Sequence, residues 1–375
     1  MYWRIGIVGG GQLGKMLTLE AKKLGFQVVI IDPAPRSPAG QVADRQIVAS
    51  VNDEKAIRQL ARETDFLTFE IELANADILE ELRSKSVKVN PSARTLHIIK
   101  DKLKQHRFLQ KARIPVAEFV EINNEQDAYR AAEKFGYPFL VKARTDAYDG
   151  KGNVLIQGQE DIRRAFKKLA GRKVYAEKFV SFAKELSVIV VRSTKGQIVT
   201  YPVVETIQKN NICHQVLAPA LVGARVRRKA KHLAIQVMRH LRGAGAFGIE
   251  MFLTEEGKVL VNEIAPRVHN SGHYTIEACV TSQFEQHIRA ITGLPLGAPD
   301  MISPAAVMVN ILGERKGPAR IKGLQNALAI SGVSVHIYGK AETKPERKMG
   351  HITVLDTNIK RALKKATRAR EYIDI

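Results

Sequence analysis

Residues 262–275 read NEIAPRVHNSGHYT, which packs acid, amide, arginine and two histidines directly behind KVLV, a buried-strand pattern. Polar clusters at strand ends are where open α/β sheets hold ligands, so this stretch needs a charged partner. Upstream, Glu250 in GIEMF and Glu263 in VNEI flank a short turn. An even-length turn centred on Glu256 and Gly257 sets 250 opposite 263, where side chains lie about 4.5–5.5 Å apart and like charges repel. Two carboxylates so placed need a cation. With oxygen ligands only, and no cysteine or histidine in the two strands, Mg²⁺ is expected rather than zinc. An odd-length loop is the alternative, and it slips the register. Asn262 adds an oxygen, although strand alternation turns it to the other face unless the strand ends there.

Two glycine-rich loops accompany the acids. GGGQLG places Gly9, Gly11 and Gly14 between a strand and a helix, and Asp32 ends the next strand. That is the spacing of a dinucleotide site, and it is weak alone, because many α/β domains keep the turn without the ligand. AYDGKG, residues 147–152, lies between two strands. Its amides and Lys151 can wrap a polyphosphate, while a plain hairpin turn is the competing reading. Lys142 interrupts the apolar strand FLVKA, which is costly unless it meets an anion. A carboxylate pair, a strand lysine and a glycine flap together are what ATP requires. Hydride transfer has no use for the pair, so the balance falls to an ATP-dependent ligase. His269 and His273 are four apart, but Gly, Ser and Asn between them make a loop rather than a helical zinc face. Arg267 and His269 follow the acidic strand, placed to meet a second anion, and Arg347 and Lys348 add cations.

These residues need a scaffold. Leu13, Met16, Leu17, Ala21 and Leu24 recur at helical spacing after the strand RIGIVGG, and QVVIID, DFLTFE and VKVN continue a doubly wound α/β pattern. One basic helix is expected over HIIKDKLKQHRFLQKA, then a strand-rich region with few long helices, then a long helix around 224–242. PAAVMVNIL, VSVHIYGK and HITVLD read as a small third unit closed by a basic helix. At 375 residues, two or three packed units are expected. The net charge of +21 is scattered, densest in NIKRALKKATRAR, and no nucleic-acid-binding signature accompanies it. No apolar run is long enough to span a bilayer, no signal peptide precedes the first strand, and the spacing of Cys213 and Cys279 suits a reducing cytoplasm.

The blocks GGGQLGKM, LTFEIE, AYDGKG, NEIAPRVHNSGH, SQFEQHIRAI and ERKMGHI stand in the order found in the 5-(carboxyamino)imidazole ribonucleotide synthetase family. The resemblance covers nearly the whole chain, and PRVHNSGH with RKMGH is its most specific part. It implies an ATP-grasp fold of α/β and α+β class. An N-terminal doubly wound domain would span 1–98, an ATP-grasp domain 99–302 with its flap near 147–153, and a small C-terminal domain 303–375. The implied reaction is ATP- and bicarbonate-dependent carboxylation of 5-aminoimidazole ribonucleotide through carboxyphosphate, in purine biosynthesis. The implied setting is a cytoplasmic homodimer using Mg²⁺, with no nucleic-acid or membrane partner. A formate-activating relative is the alternative, which PRVHNSGH argues against, and a nicotinamide-dependent dehydrogenase is a more distant one.

By the same resemblance, Lys102 and Lys142 meet ATP phosphates, together with the flap residues Ala147, Asp149, Gly150, Lys151, Gly152 and Asn153. Glu177, Lys178 and Val180 form a strand edge that reads adenine, Glu185 meets the ribose, and Asn262 and Glu263 complete the nucleotide site. Gln12, Glu72, Tyr148, Lys151, Arg267, His269, Asn270, Ser271, Arg347 and Lys348 match residues that hold the ribonucleotide. Asp149 is the expected proton acceptor, with Tyr148, Arg267 and Lys348 beside it in the chemistry. Glu250 and Glu263 are the metal ligands. Thr206 and Gln208 stand where the family usually carries asparagine and histidine, so Gln208, or His214 from the same loop, must serve in their place.

Overall fold

The structure is a computed structural model that describes residues 3–145 and 152–375. Its first sheet has five parallel strands, in the order Arg45–Val48, Gln27–Asp32, Arg4–Val8, Phe66–Phe69, Lys88–Val89. The central strands are buried on both faces, as crossover helices require, which is why they read as apolar runs. Helix Gln12–Lys23 buries Leu13, Met16, Leu17 and Ala21, as its spacing predicts. Strand order reverses between Arg4–Val8 and Phe66–Phe69, so a crevice opens at their C-terminal ends, beside Gly9 and Glu70.

The single basic helix expected over HIIKDKLKQHRFLQKA is two helices, Ala93–Lys100 and Lys102–Lys111. Asp101 causes the break: extended at the junction, it ends the first helix, and its carboxylate accepts from the amides of Leu103 and Lys104. Arg144 pairs with the same carboxylate. The consequence is functional, because Lys102 becomes the first residue of a helix aimed at the cleft.

A four-stranded antiparallel sheet follows, ordered Phe119–Ile122, Val174–Lys178, Phe139–Ala143, Asn153–Ile156. The strand-rich expectation undercounts its helices. Glu125–Phe135 starts at an Asn124 cap, and Gln159–Lys168 carries Glu160 and Asp161 in its first turn. Both press small or branched side chains (Ala128 and Ala131, Ile162 and Ala165) onto the sheet.

Residues 179–183 then cross to a nine-stranded sheet whose path runs Val259–Ala265, Gly245–Leu253, Lys184–Arg192, Val204–Lys209, Ile212–Ala218, Ala305–Leu312, Lys348–Asp356, Val333–Ile337, with Ile198–Thr200 paired to Lys184–Arg192 off this path. The last three strands form the expected third unit, with a core of their own against Ile359–Tyr372, and they also extend this sheet through pairing of Gln215 with Val309 and its neighbours. Helix Ala224–Leu241 covers one face with Leu233, Val237 and Met238, and Ile359–Tyr372 covers the far end with Ala362, Ala366 and Ala369. A cleft remains between the two antiparallel sheets, with the first sheet's crevice at its mouth.

Candidate active site

Glu250 and Glu263 do face each other across the hairpin Gly245–Leu253/Val259–Ala265, but not by the route the turn suggests. Leu253 pairs with Val259, so the loop 254–258 is odd in length, closed by bonds between Thr254 and Lys258. On that register Glu250 would oppose Asn262. A bulge between Glu250 and Met251 absorbs the extra residue and returns Glu263 to the facing position. Gln105 holds the bulge, accepting from the Ile264 amide at 3.1 Å and reaching the Asn262 carbonyl at 3.5 Å.

The pair is electrostatically lopsided. Burial raises the Glu250 carboxyl well above its ordinary value, with Glu263 and then Glu185 adding to the shift. Burial pushes Glu263 the same way, but Lys102 outweighs it and keeps that carboxylate ionised. Lys102 Nζ lies 2.7 Å from Glu263 Oε2. Both acids still open to the cleft, Glu263 with 46% and Glu250 with 27% of its side chain exposed. An oxygen-only pair, half neutralised and solvent-facing, fits a hard divalent cation.

Deeper in, Lys142 is tethered. Its ammonium lies 3.0 and 3.2 Å from the Glu177 oxygens, where His106 Nε2 (3.0 Å) and the Tyr175 hydroxyl (3.1 Å) also converge. Burial would raise the Glu177 carboxyl, but Lys142 and His106 hold it down at about 2. This changes the expected picture of an adenine-reading edge. Val174–Lys178 is an interior strand, paired on both sides, and the Glu177 side chain is consumed by the lysine. Lys178 points out to Glu118 and the ladder stops there, with Val180 half-buried in the link to the next sheet. Glu185 sits on the next strand, its carboxyl raised by burial and eased by the Gln208 amide. Gln208, rather than His214, is therefore its partner, and Gln208 Oε1 is buried without one among the described residues.

The opposite wall is cationic. Arg267 Nε lies 2.8 Å from Glu72 Oε1. His269 Nε2 is 3.4 Å from Glu250 Oε1, while Nδ1 meets Ser271 Oγ at 2.8 Å. Burial, then Arg267 and Lys348, keep that imidazole neutral. Lys348 opens the strand Lys348–Asp356 at the same wall, and Arg347 bonds back to the Glu342 carbonyl. Asn270 and Ser271 are turned inward instead: Asn270 exchanges amide bonds with Asn310, and Ser271 bonds Ser187. Gln12 is half-buried at the start of its helix, over the crevice. Gly152, at positive φ, and Asn153 reopen the strand that pairs with Lys142. Ala147, Tyr148, Asp149, Gly150 and Lys151 lie outside the described residues.

The GGGQLG loop is spent internally. Gly10 donates to Asp32 at 2.9 Å, and Gly11 and Gly14 donate to Glu70 at 2.7 and 3.0 Å. With the Gly9 amide on the Ile31 carbonyl, the amides of all four loop glycines are taken by the chain itself. A Cβ at Gly9 would meet the Glu70 side chain at 2.6 Å, so the loop is glycine-rich to admit a carboxylate of the chain itself. Sequence reasoning passed over Lys340, whose ammonium bonds the Lys348 carbonyl and whose pKa burial pushes down to about 8, and also Gln105, His106 and Gln283. Gln105 and His106 had a signal: both stand on the buried face of their helix with Leu103 and Leu109.

Three family models match the chain: a ribonucleotide synthetase preATP-grasp domain over residues 2–100, an ATP-grasp domain over 107–284, and a phosphoribosylaminoimidazole carboxylase C-terminal domain over 306–365. The chain is 46% identical over 366 residues to phosphoribosylaminoimidazole carboxylase of Ogataea methanolica, covering 95% of this chain and 67% of that one. It thus spans about two thirds of the length of that relative. It is similar to the crystal structure of N5-carboxyaminoimidazole ribonucleotide synthetase from Thermotoga maritima, at 49% identity and TM-score 0.91 over 99% of both chains. It is also similar to N5-carboxyaminoimidazole synthase from Aspergillus clavatus in complex with ADP and 5-aminoimidazole ribonucleotide, at 39% identity and TM-score 0.92, covering 99% of this chain and 98% of that one.

Proposed function

Because the chain belongs to the N5-carboxyaminoimidazole ribonucleotide synthetase family of the ATP-grasp superfamily, we propose that it carboxylates the exocyclic amine of 5-aminoimidazole ribonucleotide, consuming ATP and bicarbonate. The observation that carries this reading is the facing pair Glu250 and Glu263, with Lys102 on one side and the cationic wall of Arg267 and Lys348 on the other.

Glu250 and Glu263 would hold Mg²⁺, which when bound neutralises charge on the ATP phosphates. Lys142, fixed by a Glu177 carboxylate that His106 and Tyr175 also hold, stands at a set position for the same phosphates. A bicarbonate oxygen attacks the γ-phosphorus, ADP leaves, and the carboxyphosphate formed delivers its carbon to the amine with release of phosphate. Neutral His269 stands between the Glu250 carboxylate and the ribonucleotide wall, so it offers a hydrogen bond without adding charge. Arg267, Arg347 and Lys348 would receive the ribonucleotide phosphate, a pairing suited to guanidinium and ammonium donors. Asp149 would accept the amine proton, with Tyr148 and Lys151 at the imidazole. Gln208 Oε1, an acceptor without a donor among the described residues, would take a ribose hydroxyl beside Glu185.

The test is ADP release in Mg²⁺, ATP and bicarbonate, with and without 5-aminoimidazole ribonucleotide. Strong stimulation by the ribonucleotide is expected. Stimulation by formate in place of bicarbonate would overturn the substrate assignment. A homodimer in the cytoplasm is proposed with the same family, and sedimentation at micromolar concentration checks the stoichiometry.

A further inference from the structure

The second histidine of HNSGH faces away from the cleft, into a cluster that the reaction does not use. His273 is fully buried and its ring lies 4.9 Å from that of His351, centroid to centroid. His351 stacks on His336, at 4.5 Å and an interplanar angle of 10°, and the two are cross-strand partners on Val333–Ile337 and Lys348–Asp356. His336 Nε2 meets Glu277 Oε1 at 2.5 Å, from the short helix Thr275–Ala278. Ligating atoms of Glu277, His336 and His351 all lie within 4.8 Å of one another.

What marks this cluster is unmet bonding capacity. Five buried side-chain polar atoms lack a partner among the described residues, and four of them are here: His273 Nε2, Glu277 Oε2, His351 Nε2 and Thr353 Oγ1. Each such group costs about 1–3 kcal/mol if left unsatisfied. Their coincidence in one place is unlike a packing accident, since the rest of the described interior leaves only Gln208 Oε1 in that state. Tyr338 OH lies 2.9 Å from His351 Nδ1. In the tautomer whose Nδ1–H donates to that hydroxyl, Nε2 is left as a lone pair, the arrangement that supports metal-bound histidines.

We infer that Glu277, His336 and His351 form a site for one borderline first-row divalent cation of the zinc type, distinct from the Mg²⁺ pair in the cleft. Two imidazoles and a carboxylate suit zinc or its neighbours and do not suit Mg²⁺. Side-chain exposure of 31% at His336 and 16% at Glu277 provides the way in from solvent, and His351 closes the inner side. The ion would tie the sheet's C-terminal strands to the segment that follows HNSGH. Lys348 is three residues from His351 on the same strand, so the site would also fix one wall of the cleft.

The experiment is calorimetric titration of chelator-stripped full-length protein with Zn²⁺ at neutral pH, repeated with Glu277→Gln, His336→Ala and Glu263→Gln. One equivalent is expected in the unmodified chain, weakened at least tenfold in Glu277→Gln and His336→Ala and unchanged in Glu263→Gln. Circular dichroism of each variant checks that it folds, and Glu277→Gln, nearly isosteric, carries the test if His336→Ala does not fold. No stoichiometric binding would overturn the proposal. So would binding that survives in Glu277→Gln, or that disappears in Glu263→Gln.

Discussion

Two places in this molecule set a carboxylate at the end of a strand facing the ligand side, and they differ in who answers the charge. At the first crevice Glu70 is buried and spent on the amides of Gly11 and Gly14. Across the hairpin Glu250 and Glu263 face each other with one lysine between two charges, open to the cleft. At the first site the chain itself supplies the carboxylate's partners; at the second, carboxylate charge is left open to the cleft. A glycine fingerprint therefore says less about function than the question of which charges remain unanswered once the chain has folded.

The strongest way to break that contrast is to exchange the consequences. Glu263→Gln should lower turnover about a thousandfold, several kcal/mol of transition-state stabilisation, while circular dichroism shows the fold intact. Glu70→Ala should do the opposite: ATP affinity measured by calorimetry changes little, and denaturant unfolding shows a loss of about 2 kcal/mol or more from two orphaned amides. A functional Glu70 and a structural Glu263 would invert the account.

The acids also separate by pH. Glu177 falls from the ordinary 4.5 to about 2, so its contribution to stability is present above 4.5 and is lost as pH drops toward 2. Glu177→Gln should flatten the stability-versus-pH curve in that window, read by denaturant midpoints. Glu250 is shifted up, so it binds its proton more tightly than an ordinary carboxylate and must release it to hold a cation. Mg²⁺ affinity should rise with pH through the raised value, and Glu250→Gln should remove the slope. The smallest effect is expected at Gln208→His, a change of less than about tenfold in the KM for ATP, because either side chain can bond near Glu185.

Much of this was legible in the sequence. The parallel sheet follows from its buried apolar runs, and the long helix from its period. The acidic pair was read correctly from a wrong turn: an odd loop and a bulge cancel, and neither leaves a clear trace, because a bulge is fixed by tertiary partners such as Gln105. Asp101 as a mid-pattern cap was readable, being a strong N-cap residue inside a basic run. The inward turn of Asn270 onto Asn310 was not, since the partners lie 40 residues apart. Nor was the junction of the last strands to the large sheet, which depends on a long-range register. His336 and His351 look like ordinary strand residues until the sheet pairs them.

The most direct measurement follows the carbon. Isotopically labelled bicarbonate should appear in the acid-labile carbamate of 5-aminoimidazole ribonucleotide, in step with ADP, in the unmodified chain and not in Glu263→Gln. ADP formed without labelled carbamate, or undiminished labelling in Glu263→Gln, would contradict the account.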